Sequence, residues 1–117
     1  MLENRRVLLV EDDYLQAREA TLILQRARIC VVGPVATVSA ALSLIEQNDL
    51  CAAILDINLG SGPSFEIADR LRAHNVPLAF LTGYDRSSIP EEYAEIPRAE
   101  KPVVEAKLLA LLIKLCG

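Results

Sequence analysis

The chain has 117 residues, a length typical of one domain, and we expect residues 1–117 to form a single domain. Hydrophobic residues make up 52% of the chain, which is enough to fill a core and excludes a disordered protein. The net charge of −4 argues against direct binding to nucleic acid, and no apolar stretch approaches the ~20 residues that a membrane span needs.

Short apolar runs alternate with stretches of helical period, which predicts repeated βα units. In the first half we expect strands at 6–10 and 29–32, a helix at 14–28 and a second helix that begins after Thr37. Asp13 is a good cap for the first helix, Thr37 is a candidate cap for the second, and Gly33-Pro34 should end the second strand.

The second half predicts two further strands at 51–55 and 78–81, a third helix from Pro63 to about His74 and a last helix at 103–116. The predicted buried side of the last helix is Val104, Leu108, Leu111 and Leu115. The segment 83–100 is short and interrupted by prolines, so we expect a fourth helix of one or two turns at 91–95 and a weak fifth strand at 96–99.

Polar side chains follow the predicted strands: Glu11, Asp12, Asp56, Thr82 and Lys101. Because the carboxyl ends of parallel strands meet at one edge, where ligands bind in open α/β sheets, we expect these groups to converge. Clustered acids suit Mg²⁺, and an ammonium with a hydroxyl can hold a phosphoryl group. A carboxylate that stays ionised beside a metal can attack phosphorus, as Asp56 could. Taken singly, Asp56 could cap a loop, Thr82 could begin a turn, and Lys101 could be solvated.

The order and spacing of these residues resemble the receiver domain of two-component response regulators. The resemblance rests on Val7-Leu-Leu-Val-Glu-Asp-Asp13, Leu55-Asp-Ile-Asn-Leu-Gly60, Leu81-Thr-Gly83 and Glu100-Lys-Pro102. It covers essentially the whole chain. It implies an α/β fold, a doubly wound, flavodoxin-like sheet of five parallel strands in the order 2-1-3-4-5 with flanking helices. In this chain the short segment 83–100 predicts a shortened fourth helix.

The resemblance also implies a role for each site residue. Asp56 would accept a phosphoryl group from the phosphohistidine of a sensor histidine kinase or a phosphotransfer protein. Asp12, Glu11 (directly or through water), Asp56 and the backbone carbonyl of Asn58 would bind Mg²⁺. Thr82 and Lys101 would hold the phosphoryl oxygens. Such a protein is a switch with at most slow self-dephosphorylation, not a turnover enzyme.

Two positions depart from the usual receiver pattern. Arg98 stands three residues before the lysine, where many receivers carry an aromatic switch residue. The stretch from Phe80 to Tyr84 resembles the Phe-Ala-Thr-Gly-aromatic pattern of a subgroup of single-domain alphaproteobacterial receivers. Tyr84 could replace the missing aromatic residue or be a static loop residue, so Tyr84 and Arg98 are both switch candidates.

Three other functions fit parts of the pattern: a non-phosphorylated pseudo-receiver, a flavodoxin-like binding domain and a phosphatase of the haloacid-dehalogenase type. The phosphatase needs an acid two residues after its nucleophile, where this chain has Asn58. The flavin site would need a phosphate-binding loop after strand one, which the sequence lacks.

The output and location are less specified by the sequence. A receiver either alters a protein partner, which could be a second copy of itself, or drains phosphoryl groups from a kinase. We expect no direct contact with nucleic acid or membrane. The odd count of cysteines (Cys30, Cys51, Cys116), without zinc-site spacing, favours reduced thiols and a cytoplasmic protein.

Overall fold

The computed structural model describes residues 2–60, 62–83 and 89–117. The β-strands are β1 Arg6–Val10, β2 Cys30–Val35, β3 Ala52–Asp56, β4 Asn58–Leu59, β5 Gly62–Pro63, β6 Leu78–Thr82 and β7 Arg98–Glu100. The α-helices are α1 Tyr14–Arg26, α2 Val38–Gln47, α3 Phe65–Ala73 and α4 Glu105–Cys116, and a 3-10 turn spans Glu91–Tyr93.

Five strands form one parallel sheet in the order β2-β1-β3-β6-β7. Counting only these strands, the order is 2-1-3-4-5, so the predicted doubly wound, flavodoxin-like α/β fold is confirmed. β4 and β5 form a separate two-stranded antiparallel ribbon directly after β3. This ribbon was not predicted from the sequence.

Alternate residues of the central strands face two different cores, because side chains alternate across a sheet. Leu8 and Leu55 belong to a cluster that includes residues of α2 and α3. Leu9 and Ile54 belong to a second cluster that includes residues of α1 and α4. With helices on both faces, β1, β3 and β6 are apolar along nearly their whole length, as the sequence predicted for central strands.

The two predicted N-caps of the first helices are confirmed. The Asp13 side chain accepts hydrogen bonds from the N–H groups of Leu15 and Gln16, and Thr37 Oγ1 accepts one from Ala40. Asp13 therefore holds the start of α1 directly beside the strand end that carries Glu11 and Asp12.

Several predicted boundaries were wrong. α1 ends at Arg26 rather than Arg28, because Arg28 takes a left-handed conformation (φ 62°) and turns the chain towards β2. β2 runs through Gly33-Pro34 instead of ending there, with a shift in its pairing to β1 between Leu8 and Val10. Gly33 permits this irregularity because its φ is +102° and a Cβ would stand 2.8 Å from the Leu9 carbonyl oxygen.

Boundaries in the second half also differ. α3 begins at Phe65, since Pro63 belongs to the β4–β5 ribbon rather than to the first helical turn. β7 lies at Arg98–Glu100 instead of 96–99. β3 is shifted by one residue from the predicted 51–55, and β6 extends one residue beyond the predicted 78–81. Asp56 and Thr82 are therefore the last residues of their strands.

The prediction for the last helix was partly wrong. α4 begins at Glu105, and Val104 precedes it with half of its surface exposed (50%). Leu108 is buried as expected, and Leu112 takes the other fully buried position. Leu111 and Leu115 are half-buried against the same core.

The shortened fourth helix is confirmed: within residues 89–117 the segment before β7 forms a 3-10 turn at Glu91–Tyr93. Within the described residues no helix is both long and apolar enough to cross a lipid bilayer.

Candidate functional site

The carboxyl edge of the sheet brings three acids together. Oxygen atoms of Glu11, Asp12 and Asp56 all lie within 4.8 Å of one another. β1 and β3 are neighbours in the sheet, with Val10 paired to Leu55, so the residues that follow them are adjacent. Glu11 and Asp56 are buried while Asp12 is exposed, so the cluster opens to solvent on one side.

Lys101 bridges two of these acids. Its Nζ lies 2.6 Å from Glu11 Oε1 and 3.0 Å from Asp56 Oδ2. Burial lowers the pKa of Lys101, but pairing with Glu11 and Asp56 outweighs that effect, and the net shift is upwards. The lysine is therefore a fixed positive charge beside Asp56.

Glu11 differs from its neighbours because its side chain has no exposed surface. Burial raises its pKa to about 7, Asp56 adds to the rise, and Lys101 and the N–H of Asp13 oppose it. Its second oxygen, Oε2, accepts that N–H at 3.1 Å.

Backbone groups fix the other two carboxylates. The N–H of Gly60 donates to Asp12 Oδ2 at 2.6 Å, and the N–H of Asn58 donates to Asp56 Oδ1 at 3.2 Å. Asn58 begins β4 and Gly60 directly follows it, so both donors come from the short segment after β3. Asn58 itself lies in that ribbon, at the position where the sequence predicted a metal-binding carbonyl.

The ribbon is fastened to the end of β3 by Ser64, which is fully buried. Its N–H and its hydroxyl both donate to the carbonyl oxygen of Ile57, at 2.9 and 3.2 Å. This arrangement holds the loop between Asp56 and α3, and with it the groups that contact Asp12 and Asp56.

Thr82 ends β6, the strand next to β3, and is buried. Its hydroxyl donates to the carbonyl oxygen of Ala99 at 3.5 Å, and its own carbonyl accepts the N–H of Lys101 at 2.7 Å. The backbones of Thr82 and Lys101 are thus joined, which sets the position of the lysine relative to the end of β6. The peptide between Lys101 and Pro102 is cis.

The two switch candidates have different outcomes. Arg98 is exposed on β7, opposite Phe80, and lines a cleft of about 720 Å³ between β7 and α4. Its Nη2 lies 3.5 Å from the carbonyl oxygen of Ala94. Tyr84 lies outside the described residues.

Two features of the site escaped the sequence analysis. Lys101 was expected to hold phosphoryl oxygens, and its pairing with Glu11 was not anticipated, nor was the bond from Gly60 to Asp12. A Cβ at Gly60 would lie 3.2 Å from Asp12 Oδ2, a tight contact that favours glycine at this position.

The set of groups fits a hard divalent cation. Three carboxylates supply oxygen ligands on one side, and the single lysine leaves their combined charge negative. Mg²⁺ prefers a few carboxylates and keeps several waters, which the exposed side of Asp12 allows.

Residues 7–111 match the family model described as the response regulator receiver domain. The chain therefore belongs to the response regulator receiver family. Receiver domains accept phosphoryl groups from histidine kinases or phosphotransfer proteins, bind Mg²⁺ at an acidic site and act as switches rather than turnover enzymes. A comparison with curated proteins gave no match.

Solved structures agree with this assignment. SdrG from Sphingomonas melonis Fr1 is 35% identical with a TM-score of 0.82, covering 97% of this chain and 99% of SdrG. The BeF3-activated conformation of SdrG from Pseudomonas melonis Fr1 is 34% identical with a TM-score of 0.80 and the same coverage, 97% and 99%. The receiver domain of the sensor histidine kinase PA1611 from Pseudomonas aeruginosa PAO1, with magnesium coordinated in its active-site cleft, shares the fold (22% identity, TM-score 0.86, coverage 97% and 98%).

Proposed function

We propose that this protein is a Mg²⁺-dependent phosphoacceptor switch in which Asp56 takes a phosphoryl group from a phosphohistidine on a sensor kinase or phosphotransfer protein. The observation that carries the proposal is the position of Asp56 between a fixed ammonium and two further acids, with Lys101 Nζ at 3.0 Å. We further propose that residues 1–117 act as one receiver module in the cytoplasm.

The chemistry follows from the groups around Asp56. A carboxylate oxygen of Asp56 attacks phosphorus, the bond from phosphorus to the imidazole nitrogen breaks, and the imidazole leaves with the electron pair. Lys101 offsets the negative charge that spreads over the phosphoryl oxygens, and the Thr82 hydroxyl turns from Ala99 to donate to one of them. Asn58 keeps the Asp56 carboxylate oriented through its N–H.

Asp12, Glu11, Asp56 and the backbone carbonyl of Asn58 would hold Mg²⁺. When bound, the ion would supply positive charge that offsets the oxygens of the phosphoryl group in transfer. The residues of this chain are already in position before the phosphoryl donor binds. The N–H of Gly60 orients Asp12, and burial keeps water away from Glu11.

The route from Thr82 to a partner is the less specified part of the proposal. Identity of 34–35% to SdrG, which has a BeF3-activated conformation, supports membership in the subgroup with the Phe-Ala-Thr-Gly-aromatic pattern. In that subgroup we expect Tyr84, rather than the exposed Arg98, to change its surroundings on phosphorylation. The partner would be a protein that reads this face, or a kinase from which phosphoryl groups are drained.

The test is phosphorylation by acetyl phosphate in the presence of Mg²⁺, followed by intact-mass measurement. The parent protein and an Asp49→Asn control, altered at an exposed acid after α2, should gain one phosphoryl group that hydroxylamine removes. Asp56→Asn should gain none. A phosphoryl group on Asp56→Asn would refute the assignment of the acceptor.

Absence of any gain in the parent, with acetyl phosphate and with kinase donors, would instead identify a pseudo-receiver. Sustained release of phosphate from varied esters would identify a phosphatase. The side chain of Asn58 argues against the second outcome because it cannot act as a general acid.

A further inference from the structure

Two thiols meet at the amino edge of the sheet, opposite the phosphoacceptor site. Cys51 directly precedes β3, and its N–H donates to the carbonyl oxygen of Arg6 at 2.8 Å. α4 follows the Lys101 segment and ends at Cys116. Since Lys101 lies at the carboxyl edge, the helix runs back along the sheet and ends where β3 begins.

The side chains of Cys51 and Cys116 are neighbours, because the Cys51 thiol is close enough to influence the Cys116 thiol. Cys116 packs against the core cluster that contains Ala52, the residue next to Cys51, and α4 contacts β3. Burial and the adjacent Cys51 thiol raise the pKa of Cys116 to about 12. Both thiols are free and partly accessible.

Arg5 distinguishes Cys51 from Cys116 by its position. Its Nη1 lies 3.7 Å from Cys51 Sγ, so a positive charge stands beside the thiol that would meet the oxidant first. Cys116, whose pKa is raised by burial, suits the second position in a two-step reaction.

Cys30 is excluded from this pair by the sheet. It is paired with Arg6 on one side of β1, while Cys51 bonds to Arg6 from the other side. Two strand spacings of about 4.8 Å therefore separate Cys30 from Cys51, and that total exceeds the ~7 Å over which a disulfide can form without backbone movement.

We propose that Cys51 and Cys116 are a site of reversible disulfide formation that joins the last turn of α4 to the start of β3 when a disulfide oxidant such as glutathione disulfide is present. The Cys51 thiolate attacks one sulfur of glutathione disulfide and releases one glutathione. The Cys116 thiolate then attacks the Cys51 sulfur of the mixed disulfide and releases the second. The protein loses two electrons and two protons, and glutathione disulfide gains them.

The cross-link has a defined structural consequence. In the folded state it would fix α4 against the sheet at the end distant from Lys101. In the unfolded state it would hold residues 51–116 in a covalently closed loop, which reduces the entropy of the unfolded chain. We therefore expect the thermal midpoint to rise by about 5–15 °C on oxidation. This inference does not depend on phosphorylation of Asp56.

The experiment uses the full chain with metal chelated, incubated in oxidised or in reduced glutathione. In the parent, two of the three thiols should be lost to an internal disulfide that adds no glutathione mass. Peptide mapping without reduction should show Cys51 joined to Cys116, and dithiothreitol should reverse both changes. The Cys30→Ser control should fall from two thiols to none and show the same rise in Tm.

Cys51→Ser and Cys116→Ser should form no internal cross-link and should keep their Tm in oxidised glutathione. The peptide map of the unsubstituted chain needs no variant, so the result stands even where a serine disturbs folding. Three thiols remaining after oxidation, a cross-link that maps to Cys30, or only covalent dimers would each overturn the proposal.

Discussion

At the scale of single residues, one cation serves two buried carboxylates at the candidate site. Lys101 lies within 3.0 Å of both Glu11 and Asp56, while Asp12 is oriented by a backbone N–H instead. With all three acids ionised the cluster is more negative than its one lysine can balance. Repulsion among the acids then opposes the metal-free state, and a divalent cation relieves it.

Replacement of Lys101 by methionine should destabilise the protein, because it leaves Glu11 and Asp56 buried without their counter-ion. We expect the free energy of unfolding near neutral pH to fall by about 1–3 kcal/mol, measured by denaturant titration with metal chelated. The matched control is Lys107→Met on the exposed side of α4, which should change it by less than about 0.5 kcal/mol. Equal effects of the two substitutions would contradict the role given to the ion pairs.

The raised pKa of Glu11 predicts how stability depends on pH. Because burial raises it from 4.5 to about 7, the native state binds a proton more tightly than the unfolded state does. The contribution of Glu11 is therefore fully present below pH 4.5 and is lost as pH rises through about 7. This contribution is measured from the free energy of unfolding of the metal-free protein at several pH values, compared with that of Glu11→Gln. The variant should show a shallower loss of stability in this window, and parallel profiles would refute the assignment.

At the scale of elements, a 3-10 turn stands in the place of a longer fourth helix, and contacts of Tyr93 hold it to α3 together with a bond from Arg72 Nη1 to the Glu92 carbonyl oxygen. The ring of Tyr93 stacks on that of Phe65 with 4.7 Å between the centroids, and the guanidinium of Arg72 lies over the Tyr93 ring, 5.2 Å from its centroid. Its hydroxyl donates to Asp69 at 2.7 Å. A short turn with few backbone bonds of its own is thereby fixed to α3, next to the strand that carries Arg98.

Two substitutions separate the contributions of Tyr93. Tyr93→Phe keeps the stacked ring but loses the bond to Asp69, and should cost about 0.5–1.5 kcal/mol of unfolding free energy. Tyr93→Ala also removes the buried ring and should cost about 3–5 kcal/mol. That bond raises the pKa of Tyr93 to about 12, so absorbance titration of the parent should show one phenol ionising late. A similar cost for both substitutions would mean that the ring packing contributes little.

At the scale of the whole molecule, the parallel sheet separates two kinds of chemistry. The acids, Thr82 and Lys101 lie at its carboxyl edge, and the adjacent thiols of Cys51 and Cys116 lie at its amino edge. β3 connects the two, since Cys51 precedes it and Asp56 ends it. Both the phosphoacceptor site and the thiol pair therefore adjoin the same central strand.

Binding of Mg²⁺ to the folded state alone should stabilise the molecule by mass action. At a concentration of 100 times the dissociation constant the gain is about 2.7 kcal/mol, seen as a rise in Tm. Asp12→Asn should remove most of the rise, while Asp49→Asn should keep it, because Asp49 is exposed and outside the acid cluster. An equal response of both variants would indicate non-specific binding.

Much of the fold could be predicted because its signals are local. The apolar runs of β1, β3 and β6 and the caps Asp13 and Thr37 each depend on neighbouring residues in sequence. The predictions failed where a distant partner decides the outcome. β2 continues past Gly33-Pro34 because it pairs with β1, and Pro63 joins a ribbon with Asn58 instead of opening a helix.

The sequence by itself determined the order along the chain of the helices and of the five strands of the main sheet. It also determined which polar residues lie at or directly after the ends of β1, β3, β6 and β7, since hydrophobic periodicity and strand-end chemistry can be read over a few neighbours. Only the tertiary structure decided which of those groups touch. Lys101 pairs with Glu11 as well as Asp56, Gly60 holds Asp12, and Cys116 reaches Cys51. These contacts join residues far apart along the chain, and they form because the parallel sheet brings separate strand ends to one edge.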